Sequence, residues 1–286
     1  MDETDRVERP SGIAVAALSH PGRVRERNED AFLVFEGAPE EAHSGAWQLI
    51  AVADGVGGHS AGDIASELAL DAVEASLADL PRRIEELADG WRDVLDARLH
   101  DAVAAANGAV QDHARLHPER EGMATTLVVA VLSRGWLGIA HVGDSRAYLL
   151  RGGHAHALTS DHTWGMEELE RGMLDPAEIE QSPLRASITR AVGLSRGHEA
   201  DVAWLRLEPG DLAVLASDGL TQYVDGEGIL TVTQRTPDIE GAARELVRLA
   251  LDAGGRDNVT VVIARFDGLA AAPLPDQRAV AETAGP

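Results

Sequence analysis

The 286-residue chain contains no cysteine. Thiolate nucleophiles, cysteine zinc sites and disulfides are therefore excluded. It contains no lysine either, since all 25 basic residues are arginine. That removes the phosphate-gripping lysine of P-loop proteins, the strand lysine of protein kinases and any Schiff base. Positive charge is scarce overall: 48 acidic against 25 basic residues leave a net charge of −23. A field of that sign repels phosphate backbones, so nucleic acid and anionic membrane surfaces are disfavoured as partners. No apolar run approaches the ~20 residues needed to span a bilayer. The segment Met1–Pro10 is charged and lacks the apolar core of a signal peptide. A cytoplasmic protein without a membrane partner is expected.

Hydrophobic residues make up 44% of the chain, enough for a sizeable core. No internal repeat and no linker-like composition shift divide it. One domain over residues 11–267 is expected, between a charged, flexible N-terminal tail (1–10) and an Ala/Pro/Gly-rich, disordered C-terminal tail (268–286). Six short runs are continuously apolar: Ile13–Leu18, Leu49–Ala53, Thr126–Leu132, Trp136–Val142, Leu212–Ala216 and Val259–Ile263. Runs of this kind predict strands buried on both faces. Helical periodicity marks 60–78, 91–116 and 238–253. The stretch 124–158 reads as three or four consecutive strands, with turns at Gly135, Gly143 and Gly152–Gly153. Strands thus cluster instead of alternating with helices. This predicts an α+β fold of stacked antiparallel sheets with helices packed outside.

The ends of the apolar runs carry the chemistry. One run stops at Asp54-Gly55, one at Asp144-Ser145 and one at Asp218-Gly219, while the last begins just after Asp257-Asn258. Asn28-Glu29-Asp30 stands immediately before the run Ala31–Phe35. Any one Asp-Gly or Gly-Asp pair is ordinary turn chemistry. Four aspartates at four strand tips would form a self-repelling carboxylate cluster, with only Arg25, Arg27, Arg146 and Arg256 close by in sequence. Hard divalent ions bound through oxygen relieve such repulsion, and Mg²⁺ or Mn²⁺ suits an all-oxygen set better than Zn²⁺. Two such ions can share an aspartate and activate a bridging water.

These residues fall in ordered motifs: Gly22-Arg-Val-Arg25-Glu-Arg-Asn28-Glu29-Asp30; Asp54-Gly55-Val56-Gly57-Gly58-His59-Ser-Ala-Gly62; Thr125-Thr126; Val142-Gly143-Asp144-Ser145-Arg146; Leu158-Thr-Ser-Asp161-His162; Ile188-Thr189-Arg190-Ala191-Val192-Gly193; Ala216-Ser217-Asp218-Gly219-Leu220; and Arg256-Asp257-Asn258-Val259-Thr260. In this order and spacing the chain resembles the metal-dependent (type 2C, PPM) serine/threonine protein phosphatases in their bacterial form, over about residues 12–266. The resemblance implies a central β-sandwich of two antiparallel sheets flanked by helices on both sides, with a flap over about 163–187. It implies two Mn²⁺ or Mg²⁺ ions per chain. One is held by Asp54, Asp218 and Asp257, and the other by Asp30, Asp54 and the backbone carbonyl of Gly55. A third, weaker ion is implied at Asp144 with Asp218. Glu29 would act through a metal-bound water, and Arg25 would clamp the substrate phosphate. The implied activity is hydrolysis of phosphoserine and phosphothreonine by a metal-bridged water, opposing bacterial Ser/Thr kinases. The partners are then phosphorylated proteins, met by a monomer.

Several readings compete residue by residue. Without the family, Arg25 is a surface arginine paired with Glu26 or Glu29. Gly57 and Gly58 would let the backbone approach the metal site. A helix starting near Ser60, with Ser60 or Asp63 in its first turn, would turn its positive end toward the carboxylates. Animal members carry a histidine after the Asp-Gly as general acid, where this chain has Val56. His59 is not given that role, which leaves a metal-bound water or a flap residue as proton donor. The flap is acidic, with Glu167, Glu168, Glu170, Asp175, Glu178 and Glu180 against Arg171 and Arg185, and Asp175-Pro176 reads as a helix start. Three alternatives stand beside the main one. They are a partner-switching phosphatase of an anti-sigma antagonist, a silent phosphoprotein-binding pseudo-phosphatase, and a two-metal phosphodiesterase or nuclease. The complete motifs, the intact aspartate set and the −23 charge argue against them in turn.

Overall fold

A computed structural model of the chain describes residues 12–36, 47–56, 61–80, 90–133 and 135–268, together with the backbone of 5–7. The strands are β1 (Asp5–Val7), β2 (Ile13–His20), β3 (Asp30–Glu36), β4 (Trp47–Val56), β5 (Ala124–Thr125), β6 (Leu127–Ser133), β7 (Trp136–Val142), β8 (Arg146–Arg151), β9 (His154–Ala157), β10 (Asp201–Arg206), β11 (Asp211–Ala216) and β12 (Val259–Phe266). The helices are α1 (Gly62–Leu77), α2 (Trp91–Leu116), α3 (Trp164–Glu170), α4 (Pro176–Gln181), α5 (Asp218–Thr221), α6 (Gly226–Arg235) and α7 (Ile239–Asp252).

The strands form two antiparallel sheets, one ordered β1-β2-β12-β11-β8-β9 and the other β10-β7-β6-β4-β3, with β5 added to the end of β4. Strands buried on both faces need two apolar covers, and the structure supplies them. Ile50, Val52, Val128, Ala130, Leu137 and Ile139 point into the space between the sheets, where they meet Val15, Ala17, Leu149, Leu215 and Val262. The alternate residues of the second sheet, Leu49, Ala51, Val129 and Val131, face outward against α1 and α2 through Val73, Leu77, Leu95 and Leu99. On the far side, Val214, Val261 and Ile263 of the first sheet pack on Ile229, Leu246 and Val247 of α6 and α7. Period-2 alternation divides each apolar run between two cores, which is why the runs are continuous. Truncating any fully buried leucine here, such as Leu49 or Leu215, removes packing worth about 2–5 kcal/mol.

The α-β-β-α layering, the strand cluster over 124–158 and the three long helices agree with the sequence reading. The turn glycines Gly135, Gly143, Gly152 and Gly153 all have positive φ, a conformation that glycine takes without strain. The flap positions hold two short helices. The second begins at Asp175, whose carboxylate accepts from the Ala177 and Glu178 amides while the Glu178 side chain returns to the Asp175 amide. This is a reciprocal cap. Residues 1–4, 8–11 and 269–286 lie outside the described residues, so the tails expected there are not placed. The same holds for Gly57, Gly58, His59 and Ser60.

Candidate metal centre

The sequence-predicted aspartates come together at one end of the sandwich, and both sheets contribute. Asp30, the first residue of β3, stands directly opposite Asp54 of β4 in the antiparallel register. Asp218 follows β11 and Asp257 precedes β12, two strands that are themselves paired. Asp144 sits in the turn between β7 and β8. The Asp54 backbone is fixed by threonines: its amide donates to Thr126 Oγ1 at 3.0 Å, and its carbonyl accepts from the Thr126 amide and from Thr125 Oγ1, each at 2.9 Å. The Gly55 amide donates to the Glu29 carbonyl at 3.1 Å. A Cβ on Gly55 would lie 2.3 Å from the Gly62 carbonyl oxygen, and one on Gly62 would lie 3.0 Å from the Gly55 carbonyl oxygen and 2.9 Å from the Glu29 carboxyl carbon. The start of α1 therefore packs on the Asp54-Gly55 turn at a distance that only two glycines allow. The helix begins at Gly62 and its N-terminus meets Glu29, with Asp63 in its first turn.

Four of the five aspartates, Asp30, Asp54, Asp144 and Asp218, are hard to ionise. Burial comes first: it pushes Asp30 and Asp144 up to about 7 and Asp54 well above the usual carboxylate range. Neighbouring charges then add to it. Asp54 is held up by Asp30, Asp218, Asp144 and Asp257, and Asp218, raised first by burial, is raised further by Asp257. Glu29 is raised by burial against a lowering from Arg25. Crowded, buried acids of one sign are what a positive charge placed among them would stabilise.

The positive groups at hand are few. Arg25 Nη2 donates to Asp257 Oδ2 at 2.8 Å. The partner is neither Glu26 nor Glu29. It lies 232 residues away in sequence, so local reading could not have named it. Arg146, adjacent to the Asp144 turn, is tied bidentately to Asp161 at 2.7 Å on both arms. It is thereby committed to structure. Among the described residues no three carboxylates or imidazoles close around one point. Asp257 is turned to Arg25, and Asp218 accepts from Gln222 Nε2 at 2.6 Å.

Oxygen donors nonetheless fit a hard cation, and one detail points to it. Asp30 Oδ2 accepts from Ser217 Oγ at 2.8 Å and from Thr260 Oγ1 at 2.7 Å, while the buried Oδ1 has no partner. A lone buried carboxylate oxygen among other acids is costly unless something positive meets it.

Two further residues hold the site, and sequence reading gave them no role. Asn258 accepts from the Glu29 amide at 2.8 Å and donates to the Pro21 and Arg27 carbonyls at 3.0 and 2.8 Å. It thus pins the loop that carries Arg25 and Glu29. His162 accepts from the Gly143 amide at 3.0 Å through Nδ1 and faces Asp201 with Nε2, also at 3.0 Å, so it braces the Asp144 turn. Asn258, directly after Asp257 and before the apolar run Val259–Ile263, was the one signal the sequence offered. Val56, where animal members carry histidine, has no proton to give.

The site is an acidic centre of oxygen donors at the tips of two stacked antiparallel sheets, with helices outside both. The protein phosphatase 2C model matches residues 23–249, and the chain belongs to that family. It is 40% identical over 254 residues to the serine/threonine protein phosphatase PstP of Mycobacterium tuberculosis. That match covers 88% of this chain and 45% of the relative, so the chain spans a little under half of that relative's length. Among solved structures it superposes on the serine/threonine phosphatase of S. agalactiae with a TM-score of 0.78 and 30% identity, covering 88% of this chain and 99% of that one. It also superposes on the catalytic domain of PstP in complex with two manganese ions, with a TM-score of 0.70, 38% identity and coverage of 88% and 97%.

Proposed function

We propose that the chain is a metal-dependent phosphatase acting on phosphoserine and phosphothreonine in proteins. The observation that carries this reading is the cluster of five aspartates from both sheets, with Asp30, Asp54, Asp144 and Asp218 raised in pKa, Asp30 and Asp144 buried, and Asp30 Oδ1 left unpartnered. Asp54, Asp218 and Asp257 would hold one Mn²⁺ or Mg²⁺ ion. Asp30, Asp54 and the Gly55 carbonyl would hold a second, and Asp144 with Asp218 a third, weaker one. Bound there, the ions supply a water of lowered pKa and neutralise phosphate charge.

The chain's own residues do the rest. Glu29 stands at the rim of the cluster, its amide fixed by Asn258, where it can orient an attacking water. Arg25 is half exposed and spends one Nη on Asp257. Its other N–H groups are open to two phosphate oxygens in a fork that aligns the phosphoryl group. Val56 cannot supply a proton to the leaving alkoxide and His162 is buried against Gly143 and Asp201, which leaves a water or a flap residue as the donor.

The partners are phosphorylated proteins, such as targets of bacterial Ser/Thr kinases, met by a monomer in the cytoplasm. Among the described residues no helix is long and apolar enough to cross a membrane, and the −23 charge opposes nucleic acid. The test is p-nitrophenyl phosphate hydrolysis with Mn²⁺ and with excess EDTA. Turnover with Mn²⁺ and none with EDTA is expected; full activity in EDTA would refute the reading.

A further inference from the structure

Asp30 and Asp54 belong to one sheet, whereas the segments bearing Asp218 and Asp257 belong to the other. Something must hold the two sets of carboxylates at a fixed separation, because sheets packed only by aliphatic side chains can slide. A run of side-chain hydrogen bonds crosses between them at this point. Asn28 Nδ2 donates to Ser19 Oγ of β2 at 2.8 Å. Ser19 Oγ lies 2.7 Å from Thr260 Oγ1 of β12, and Thr260 Oγ1 lies 2.7 Å from Asp30 Oδ2 of β3. Ser217, at the end of β11, donates from Oγ to the same Asp30 oxygen at 2.8 Å and accepts from the Thr260 amide at 2.9 Å. Ser217 and Thr260 are both fully buried.

With Asp30 ionised, the direction of these bonds is determined. An ionised Asp30 is an acceptor only, so Thr260 must donate to it and Ser19 must in turn donate to Thr260. Each hydroxyl therefore gives one proton and accepts one bond, and a chain of one polarity strengthens its members. Both donors fall on Oδ2. The carboxylate plane is thereby fixed, with Oδ1 unpartnered and turned away from the hydroxyls.

We infer that Ser217 and Thr260 are positioning residues, which lock Asp30 of one sheet to β11 and β12 of the other so that Oδ1 is presented to a divalent cation together with the carboxylates of the opposite sheet. The inference rests on the metal-centre reading above. Partners that orient a ligand from behind typically change metal affinity about 10- to 100-fold when removed.

The test separates hydroxyl from shape. Thr260→Val keeps the volume and loses the donor, while Thr260→Ser keeps the donor and loses a methyl group. Mn²⁺ binding to the intact chain is measured by titration calorimetry, with melting curves in EDTA alongside. Thr260→Val should weaken the affected site about 10- to 100-fold, Thr260→Ser should stay within about threefold of the parent, and Ser217→Ala should resemble Thr260→Val. Unchanged affinity in Thr260→Val, or equal weakening in Thr260→Val and Thr260→Ser, would overturn the inference in favour of simple packing. If Thr260→Val does not fold, Ser217→Ala decides by the same criterion. A parent chain that takes up no Mn²⁺ would sink the metal reading itself, whereas tight parent binding with indifferent variants would sink this inference alone.

Discussion

Replacing Asp30 by asparagine should stabilise the metal-free protein at neutral pH while weakening its response to Mn²⁺. Burial raises the Asp30 carboxyl from 3.8 to about 7. A carboxyl raised in the folded state stabilises the fold below its unfolded value, and that stability is lost as pH climbs through the folded value. The loss thus runs from about pH 4 to pH 7. A shift of about three units at ~1.36 kcal/mol each comes to about 4 kcal/mol by pH 7.5, an upper figure because water entry and side-chain rotation relieve part of it. Asparagine at this position keeps an oxygen for the Ser217 and Thr260 hydroxyls and removes the charge. At roughly 2–4 °C per kcal/mol for a domain of this size, Asp30→Asn should melt up to about 8–16 °C higher than the parent in EDTA at pH 7.5. At pH 4.5 the difference should nearly vanish. Mn²⁺ should raise the parent's melting temperature by more than the variant's, since the variant loses a ligand of one ion while Asp54, Asp218 and Asp257 remain for the other. The assay is thermal denaturation at the two pH values, with EDTA and with Mn²⁺. A variant less stable than the parent at pH 7.5 in EDTA, or a gap independent of pH, would refute the reasoning.

Other outcomes follow from the same geometry. Arg25→Ala should lower kcat/KM on a phosphothreonine peptide by roughly 10- to 150-fold, mainly through KM, because a charge-assisted bidentate contact is worth about 1.5–3 kcal/mol and acts on ground and transition states alike. Arg25→Lys should restore only part of that loss, and the half-exposed ion pair to Asp257 should make little difference to melting; a sharp drop in melting temperature with KM unchanged would make Arg25 structural. Asp144→Ala should leave tight Mn²⁺ binding nearly intact yet slow turnover at saturating metal, and an unchanged rate would reduce Asp144 to a turn residue. Asn258→Asp keeps the acceptor for the Glu29 amide and loses both donors to the loop, so KM should rise severalfold with kcat less affected; identical kinetics would show that the loop holds itself.

Much of this architecture was legible because burial on both faces writes itself as continuous apolar sequence. The runs Thr126–Leu132 and Val259–Ile263 read as buried strands, and the structure has strands at Leu127–Ser133 and Val259–Phe266. Elements that obey tertiary context over local propensity escaped. The helix Gly226–Arg235 contains two glycines and the β-branched Ile229, Thr231, Val232 and Thr233, all poor helix formers. It forms because Asp225 caps the Gly228 amide at 2.8 Å and Ile229, Leu230 and Val232 are buried against the first sheet. The strand Asp201–Arg206 is an edge strand with exposed alternate residues, and no apolar run announces it. At the site, the aspartates stood out because each ends a buried run. Their supports did not, since Ser217 and Thr260 look like any small polar residue at a strand end until the fold sets both beside Asp30. The Arg25–Asp257 pair joins residues 232 positions apart, a contact that only the completed sandwich creates.

The central claim is that one buried carboxylate cluster, with Asp54 at its middle, carries metal-dependent removal of phosphate from proteins. It is tested most directly by phosphate release from a phosphothreonine peptide at saturating Mn²⁺, comparing the parent with Asp54→Asn and Asp218→Asn, while melting in EDTA confirms that both variants fold. The account predicts turnover by the parent, loss of several orders of magnitude in kcat for each variant, and metal-free stability equal to or above the parent's, since removing one of several crowded like charges relieves repulsion. Near-parental turnover in a folded Asp54→Asn protein would contradict it.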